Sequence, residues 1–247
     1  MNPEEIIETL RPWNLWDGDF NIGFTREYYL NKFKQLLTSD EIISVSGVRR
    51  SGKSTVLLQI LDYLIKKKNI SKANTLYVNF EDPKFFKFLD LKLLDEIFDA
   101  YLDFLEPKGK VYIILDEIQK IEGWEHWVRS IYDKKIGAKI FVTGSSSKLM
   151  SSEFSSLLTG RHLEINLFPL NFKEYLDFKN VKISSKYDVV KNKKKLIKLS
   201  KSFLKEGGFP KVILEQKTNY KDRLLAQYFD DILNKDIVER FKIRDFE

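Results

Sequence analysis

The amino-acid sequence predicts an α/β fold: a mostly parallel sheet with helices on both faces, joined to a smaller C-terminal helical unit. Three observations carry this. Short apolar runs read as buried strands, helical-spaced apolar residues fall between them, and strand signals stop after Phe168-Pro169. In order, "EIISVSG" (41–47) is an apolar run ending at glycine, and Ser54 to about Lys66 follows with Val56, Leu57, Ile60, Leu61 and Leu64 on one helix face. "TLYVNF" (75–80) predicts a second strand, and Leu91–Leu105 a helix through Leu94, Ile97, Phe98, Tyr101, Leu102 and Leu105. "KVYIILDE" (110–117) is a third, wholly apolar strand. "WEHWVRSIYD" (124–133) is amphipathic and helical, with Trp124 and Trp127 reading as core packing. "AKIFVTG" (138–144) and "HLEINL" (162–167) make strands four and five, and helical patterns then occupy 171–178, 188–206 and 220–240.

This pattern divides the chain into 1–168, a core whose residues 1–40 are an N-terminal segment and first helix, and 169–247, a helical lid. The 247 residues are 43% hydrophobic and 32% charged, as expected of a globular protein with a sizeable core. Cysteine is absent and only His126 and His162 are histidines, which excludes disulfides and thiolate metal sites and disfavours a histidine one. The N-terminus lacks the basic start and apolar run of a signal peptide, and no apolar run approaches a membrane span. The expectation is a cytoplasmic protein without a membrane partner. Net charge is +6, and the excess lies late: residues 168–247 hold 19 Lys and Arg against 12 Asp and Glu. Between Lys179 and Lys205 stand ten lysines and one acid, Asp188. That run reads either as a solvated face or as a patch for nucleic acid.

Gly47-Val48-Arg49-Arg50-Ser51-Gly52-Lys53-Ser54 fits G-x-x-x-x-G-K-[ST], with an apolar strand before it and a helix after it. Glycines let successive N–H groups point inward at phosphate oxygens, and the helix start adds its own unpaired N–H groups and positive dipole end. Lys53 places a point charge on terminal phosphates, and Ser54 offers a hydroxyl to Mg2+. Asp116 ends the third strand, where a carboxylate can hold the magnesium shell. Glu117 follows at once, where it can orient and deprotonate an attacking water. Kinases of small molecules exclude water and need no such group, so Asp-Glu favours hydrolysis. No N-K-x-D guanine motif occurs.

Strand four ends in Thr143-Gly144-Ser145-Ser146. A polar group there would lie between the phosphate-loop and magnesium strands; Ser145 is the first choice of sensor and Thr143 the second, against an ordinary Gly/Ser turn. Arg161, just ahead of strand five, reads as an arginine finger reaching a neighbouring subunit or as a structural arginine pairing a nearby acid. Arg49 and Arg50 are placed to touch phosphate or a partner. Asn79, at the tip of strand two, is a candidate link between Glu117 and a bound partner.

With these residues assembled, the chain resembles the archaeal and bacterial predicted ATPases of the AAA+ superfamily. The resemblance is carried by "IGFTREYYLNKF" (22–33), "SGVRRSGKST" (46–55), "YVNFEDP" (77–83), "LDEIQKIEGWEHWVRSIYD" (115–133), "VTGSSSKLM" (142–150), "LTGRHLEINLFPLNFKEYL" (158–176), "GGFP" (207–210) and "ILNKDIVERFKIRD" (232–245). It implies ATP binding and hydrolysis with Mg2+ by a P-loop core and a helical lid, with ATP and ADP as the ligands. Gly47 to Thr55 would form the nucleotide cradle, Lys53 and Ser54 its phosphate and metal contacts, Asp116 the magnesium partner and Glu117 the base. Pro210 would lie against adenine, with Arg26 and the apolar residues near Ile22 as the other wall. Many relatives carry a further C-terminal portion, and this chain ends near where that portion would start. Ring-forming relatives make a homo-oligomer an expectation.

Three functions follow from this reading. The first is an ATPase that moves lid or subunits, the second a slow nucleotide-gated switch, and the third a DNA-associated ATPase using the lysine-rich lid.

Overall fold

The computed structural model describes residues 1–19, 21–144 and 157–238. Five strands form one sheet: β1 (Ile42–Ser46), β2 (Thr75–Asn79), β3 (Val111–Asp116), β4 (Ala138–Thr143) and β5 (His162–Asn166). They are all parallel, in the order β2-β3-β4-β1-β5. Parallel neighbours require crossovers, and helices supply them. The crossovers are α3 (Lys53–Lys68), α4 (Leu91–Leu105) and α5 (Trp124–Asp133), while α1 (Pro3–Leu10) and α2 (Glu27–Leu36) precede β1. All five expected strands and the expected helices between them are present.

Strand alternation divides the core. Leu76, Val78, Val111, Ile113, Leu115, Ile140 and Val142 share one cluster with Ile6 and Leu10 of α1, Leu94 and Ile97 of α4, and Trp127 and Val128 of α5. Both tryptophans of α5 belong to it, and the Trp127 indole also donates to Asp95 at 2.8 Å. Phe141 points the other way and meets Phe33 of α2, ring centroids 6.2 Å apart, on the face where α2 packs against α3. Helices thus cover both faces of the sheet.

Two compact units emerge, Met1–Gly47 with Lys53–Asn166, and Val48–Gly52 with Leu167–Glu247. In the second lie α6 (Phe172–Phe178), α7 (Lys186–Lys191), α8 (Lys193–Glu206), α9 (Pro210–Leu214) and α10 (Thr218–Ile232), continued by a π-helical turn over Leu233–Val238. Leu170, Tyr175, Leu176, Val181 and Ile213 form its core, with Leu196, Leu199 and Phe203 against them. The run expected over 188–206 is two helices. Ser185 and Asp188 form a reciprocal cap that starts α7 at Lys186, and the chain turns at Asn192 before α8.

Two local constraints have measurable consequences. The Gly208 carbonyl oxygen accepts from the Leu170 N–H at 2.7 Å, and a Cβ on Gly208 would lie 2.4 Å from the Leu170 oxygen. Backbone meets backbone with no flexible side chain to yield, so Gly208→Ala is expected to lower stability by about 1–3 kcal/mol. An unchanged urea midpoint would refute this. Lys139, fully buried at the start of β4, donates to the Ser39 carbonyl (2.8 Å), the Ser39 hydroxyl (3.0 Å) and the Glu41 carbonyl (2.6 Å), pinning the approach to β1. Burial, and after it the charge of Lys110, lowers its pKa from 10.5 to about 8. Between these values the unfolded chain holds the proton more tightly. The Lys139 contribution to stability therefore grows as pH rises from about 8 to 10.5 and is flat below that window. Unfolding curves of wild type and Lys139→Met should diverge across that range; parallel pH profiles would overturn the assignment.

Candidate functional site

The G-x-x-x-x-G-K-S run connects the carboxyl end of β1 to the amino end of α3, the edge of a parallel sheet where ligands of such folds bind. Every residue of β1 is buried, so the loop leaves a fixed platform. Gly52 adopts φ 96°, open to glycine at no steric cost, and α3 begins at the next residue with its first N–H groups lacking intrahelical partners. Ser51 is fully buried and its N–H bonds the Val48 carbonyl at 3.2 Å. Arg50 also holds a left-handed backbone, φ 67°.

Lys53 is 6% exposed, and its ammonium donates to the Gly47 carbonyl at 3.1 Å and lies 3.8 Å from Glu117 Oε1. The ammonium therefore turns back to the glycine that opens the run. Thr55 is exposed at the start of α3.

Opposite the loop, the sheet delivers three side chains to one point. Asn79 pairs with Asp116 and Tyr77 with Ile114, so by alternation Tyr77 and Asp116 share a face. Thr143, in register with Val45, closes β4 between β1 and β3. Asp116 is 1% exposed. Its Oδ2 accepts from the Tyr77 phenol at 2.5 Å and its Oδ1 accepts from the Thr143 hydroxyl. The Ser54 hydroxyl at the start of α3 lies beside this pair and favours the charged form of both Asp116 and Tyr77. Burial raises the Asp116 carboxyl above its ordinary range, the three hydroxyls oppose that shift, and the Glu117 charge adds to it. Tyr77 is likewise pushed well up, by burial first and then by the Asp116 charge.

Glu117 turns left-handed (φ 57°, ψ 39°) immediately after the strand. Its N–H donates to Thr143 Oγ1 at 2.9 Å, and its Oε2 accepts from Gln119 Nε2 at 2.6 Å. Thr143 thus ties Asp116 to the backbone of Glu117. Asn79 does not reach this group; its side-chain oxygen accepts from the Glu81 N–H at 2.9 Å. Ser145 lies outside the described residues.

The remaining sequence candidates fall in other places. Arg26 is 3% exposed, with its backbone N–H on Gln59 Oε1 (3.2 Å) and its guanidinium 4.5 Å over the Tyr29 ring. Gln59 of α3 also donates to the carbonyls of Ile22 (3.0 Å) and Phe24 (2.9 Å), so one amide staples 22–26 to the phosphate-loop helix. Within the second unit, Arg50 ion-pairs with Asp231 and stacks 4.0 Å over Tyr228, and Pro210 Cγ would lie 3.7 Å from a Cβ on Gly52. Val48 is exposed and Arg49 half-buried. Arg161 pairs with Asp133 at 3.3 Å and accepts the Ile42 N–H at 2.9 Å through its carbonyl oxygen. Ile42 begins β1, so Arg161 lies at the strand end opposite the one from which its own phosphate loop departs.

Tyr77, Gln59 and Gln119 entered this arrangement unannounced by the sequence motifs. The available signal was faint: a hydroxyl-bearing aromatic two residues from a strand tip, and a glutamine on an otherwise apolar helix stripe.

Among the described residues no group of three or more His, Cys, Asp or Glu is arranged to hold a metal. One carboxylate beside one hydroxyl is an all-oxygen donor set, which fits Mg2+ completed by phosphate and water rather than a protein cage.

The parallel sheet, its order and the strand–loop–helix cradle define a P-loop NTPase fold of the AAA type, a nucleotide-binding ATPase domain. A family model described as an AAA domain matches residues 39–176, and the chain belongs to that family. It is 37% identical over 211 residues to protein MJ1544 of Methanocaldococcus jannaschii, covering 85% of this chain and 45% of that protein. It is 36% identical over 221 residues to a Haemophilus influenzae protein, covering 90% and 52%. Both are described as uncharacterized, and the chain spans about half the length of these curated relatives. Similar solved structures include the Walker-type ATPase PABY2304 of Pyrococcus abyssi, with 17% identity, TM-score 0.46, and 90% of this chain and 76% of that one covered. AMPPCP-bound DnaA of Aquifex aeolicus is another, at 16% identity and TM-score 0.46, covering 88% and 66%. Among the described residues no helix is long and apolar enough to cross a membrane.

Proposed function

We propose that this protein binds ATP with Mg2+ and hydrolyses it to ADP and phosphate, using the free energy to rearrange the helical unit or neighbouring subunits. The observation that carries the reading is the meeting of Lys53, Ser54, Asp116 and Glu117 within the first unit. Gly47 to Thr55 would cradle the phosphates, and Lys53 would exchange the Gly47 carbonyl for a terminal phosphate oxygen. Ser54 and Asp116 would hold the magnesium shell; the ion, when bound, neutralises charge building on the phosphates. Glu117 would orient and deprotonate the attacking water, with Thr143 holding its backbone and Gln119 its carboxylate. Ser145 stays the first choice of sensor and Thr143 the second. Arg26 and Pro210 are proposed as walls for the base. Arg161, at the far strand end from its own loop, suits a triphosphate on another copy, and the proposal of a homo-oligomer rests there.

Glu117→Gln is expected to keep ATP binding within a few-fold and to lower the turnover number by about 100-fold or more, the range of a general base. Equal turnover in the two proteins would remove the enzymatic reading and leave the slow nucleotide-gated switch.

A specific observation favours nucleic acid as a further partner. On α8, Lys194, Lys198, Lys201 and Lys205 are exposed and spaced i, i+4, i+7 and i+11, one stripe of about 16 Å. Leu196, Leu199 and Phe203 face the core of the second unit, and the acid of α8, Glu206, is paired with Lys221 at 2.8 Å. Lys179 does not join the stripe: its ammonium donates to the Ile213 carbonyl at 2.9 Å. Spacing of about 5–6 Å between cations suits the regular phosphates of a nucleic-acid backbone. DNA binding should weaken steeply with salt, and replacing the four lysines by glutamine should reduce the log–log slope by up to about 3–4. Absent or salt-insensitive binding would dismiss this partner.

A further inference from the structure

We infer that Tyr77 is a positioning residue for the magnesium shell of the nucleotide site, an inference that rests on the ATP-binding reading above. Tyr77 is 1% exposed and comes from β2, an edge strand that contributes no residue to the phosphate loop or the Asp-Glu pair. An apolar aromatic would fill the same volume. Its phenol instead donates to Asp116 Oδ2 at 2.5 Å. One hydroxyl is therefore hydrogen-bonded directly to the carboxylate proposed to hold the metal.

The chemistry defines what this contact does. A carboxylate at a strand end has two rotatable bonds and two equivalent oxygens, and burial favours whichever orientation satisfies its charge. Thr143 occupies Oδ1 and Tyr77 occupies Oδ2, so Asp116 is held from both sides before any cation arrives. Neither donor competes as a metal base: a protonated phenol and a threonine hydroxyl are weak ligands beside a carboxylate. The pair orients Asp116 and leaves its remaining lone pairs for the magnesium shell. Asp116 loses one of its two orienting donors if the phenol goes, while the phosphate loop and Lys53 keep theirs. The effect therefore belongs to the cation and not to the phosphates.

The test is Tyr77→Phe, which deletes one oxygen. Binding of a fluorescent ATP analogue is titrated against Mg2+ and repeated in EDTA. The Mg2+ concentration for half-maximal binding is expected to rise roughly tenfold, the scale of losing a hydrogen bond to a charged group, with binding in EDTA unchanged. In an Asp116→Asn background the Tyr77→Phe effect should disappear, since the acceptor charge is gone. Unchanged Mg2+ dependence, equal weakening with and without Mg2+, or a variant that no longer folds would each overturn the inference. Wild-type protein that binds no nucleotide at all would instead overturn the ATP-binding reading.

Discussion

A single buried carboxylate organises the first unit. Asp116 is almost inaccessible to water, and an ionised carboxylate there carries a desolvation cost of several kcal/mol unless donors meet it. The donors come from the two flanking strands, Tyr77 from β2 and Thr143 from β4, with the Ser54 hydroxyl of α3 beside them. That demand constrains the fold around it. β3 must lie between β2 and β4 for both flanking hydroxyls to reach it, as it does. α3 must cover the face that Tyr77, Asp116 and Thr143 share, and its first turn must lie at the strand ends. The phosphate loop is the segment that brings α3 there.

The same alternation separates structural from chemical residues. Residues of one parity along β2, β3 and β4 fill the apolar cluster with α1, α4 and α5. The other parity packs Phe141 against Phe33 and also carries Tyr77, Asp116 and Thr143. A one-residue slip in β2 would place Tyr77 in the apolar cluster and Val78 beside Asp116. The charge and the grease thus enforce one register together.

Legibility in the sequence followed the separation of the partners. The phosphate loop is local, eight residues whose spacing holds its meaning, and the five strands announced themselves as apolar runs of ordinary length. The Asp-Glu pair was legible because it ends such a run. Tyr77 was not, since 39 residues separate it from Asp116 and nothing in "TLYVNF" distinguishes a phenol that donates from one that only packs. Gln59 was hidden for the same reason, its partners lying 33 to 37 residues away. Arg50 presents another limit. The motif constrains none of the four residues between its glycines, so the left-handed backbone of Arg50 and its grip on Asp231 could not be read from spacing. In the helical unit the break at Asn192 was masked because lysines continue unchanged on both sides of it.

The left-handed backbone of Glu117 follows from the same carboxylate. A non-glycine residue in that conformation costs about 1–2 kcal/mol, yet the chain must leave β3 without carrying its next side chain into the apolar face. Turning at Glu117 points its N–H at Thr143, the residue already committed to Asp116, and so one hydroxyl offsets strain at 117 while orienting 116. The two acids are therefore mechanically joined through β4. Lys53 completes the link, lying between the Gly47 carbonyl and the Glu117 carboxylate. An anion that drew the ammonium away from this pair would leave Gln119 as the neutral partner of the Glu117 carboxylate.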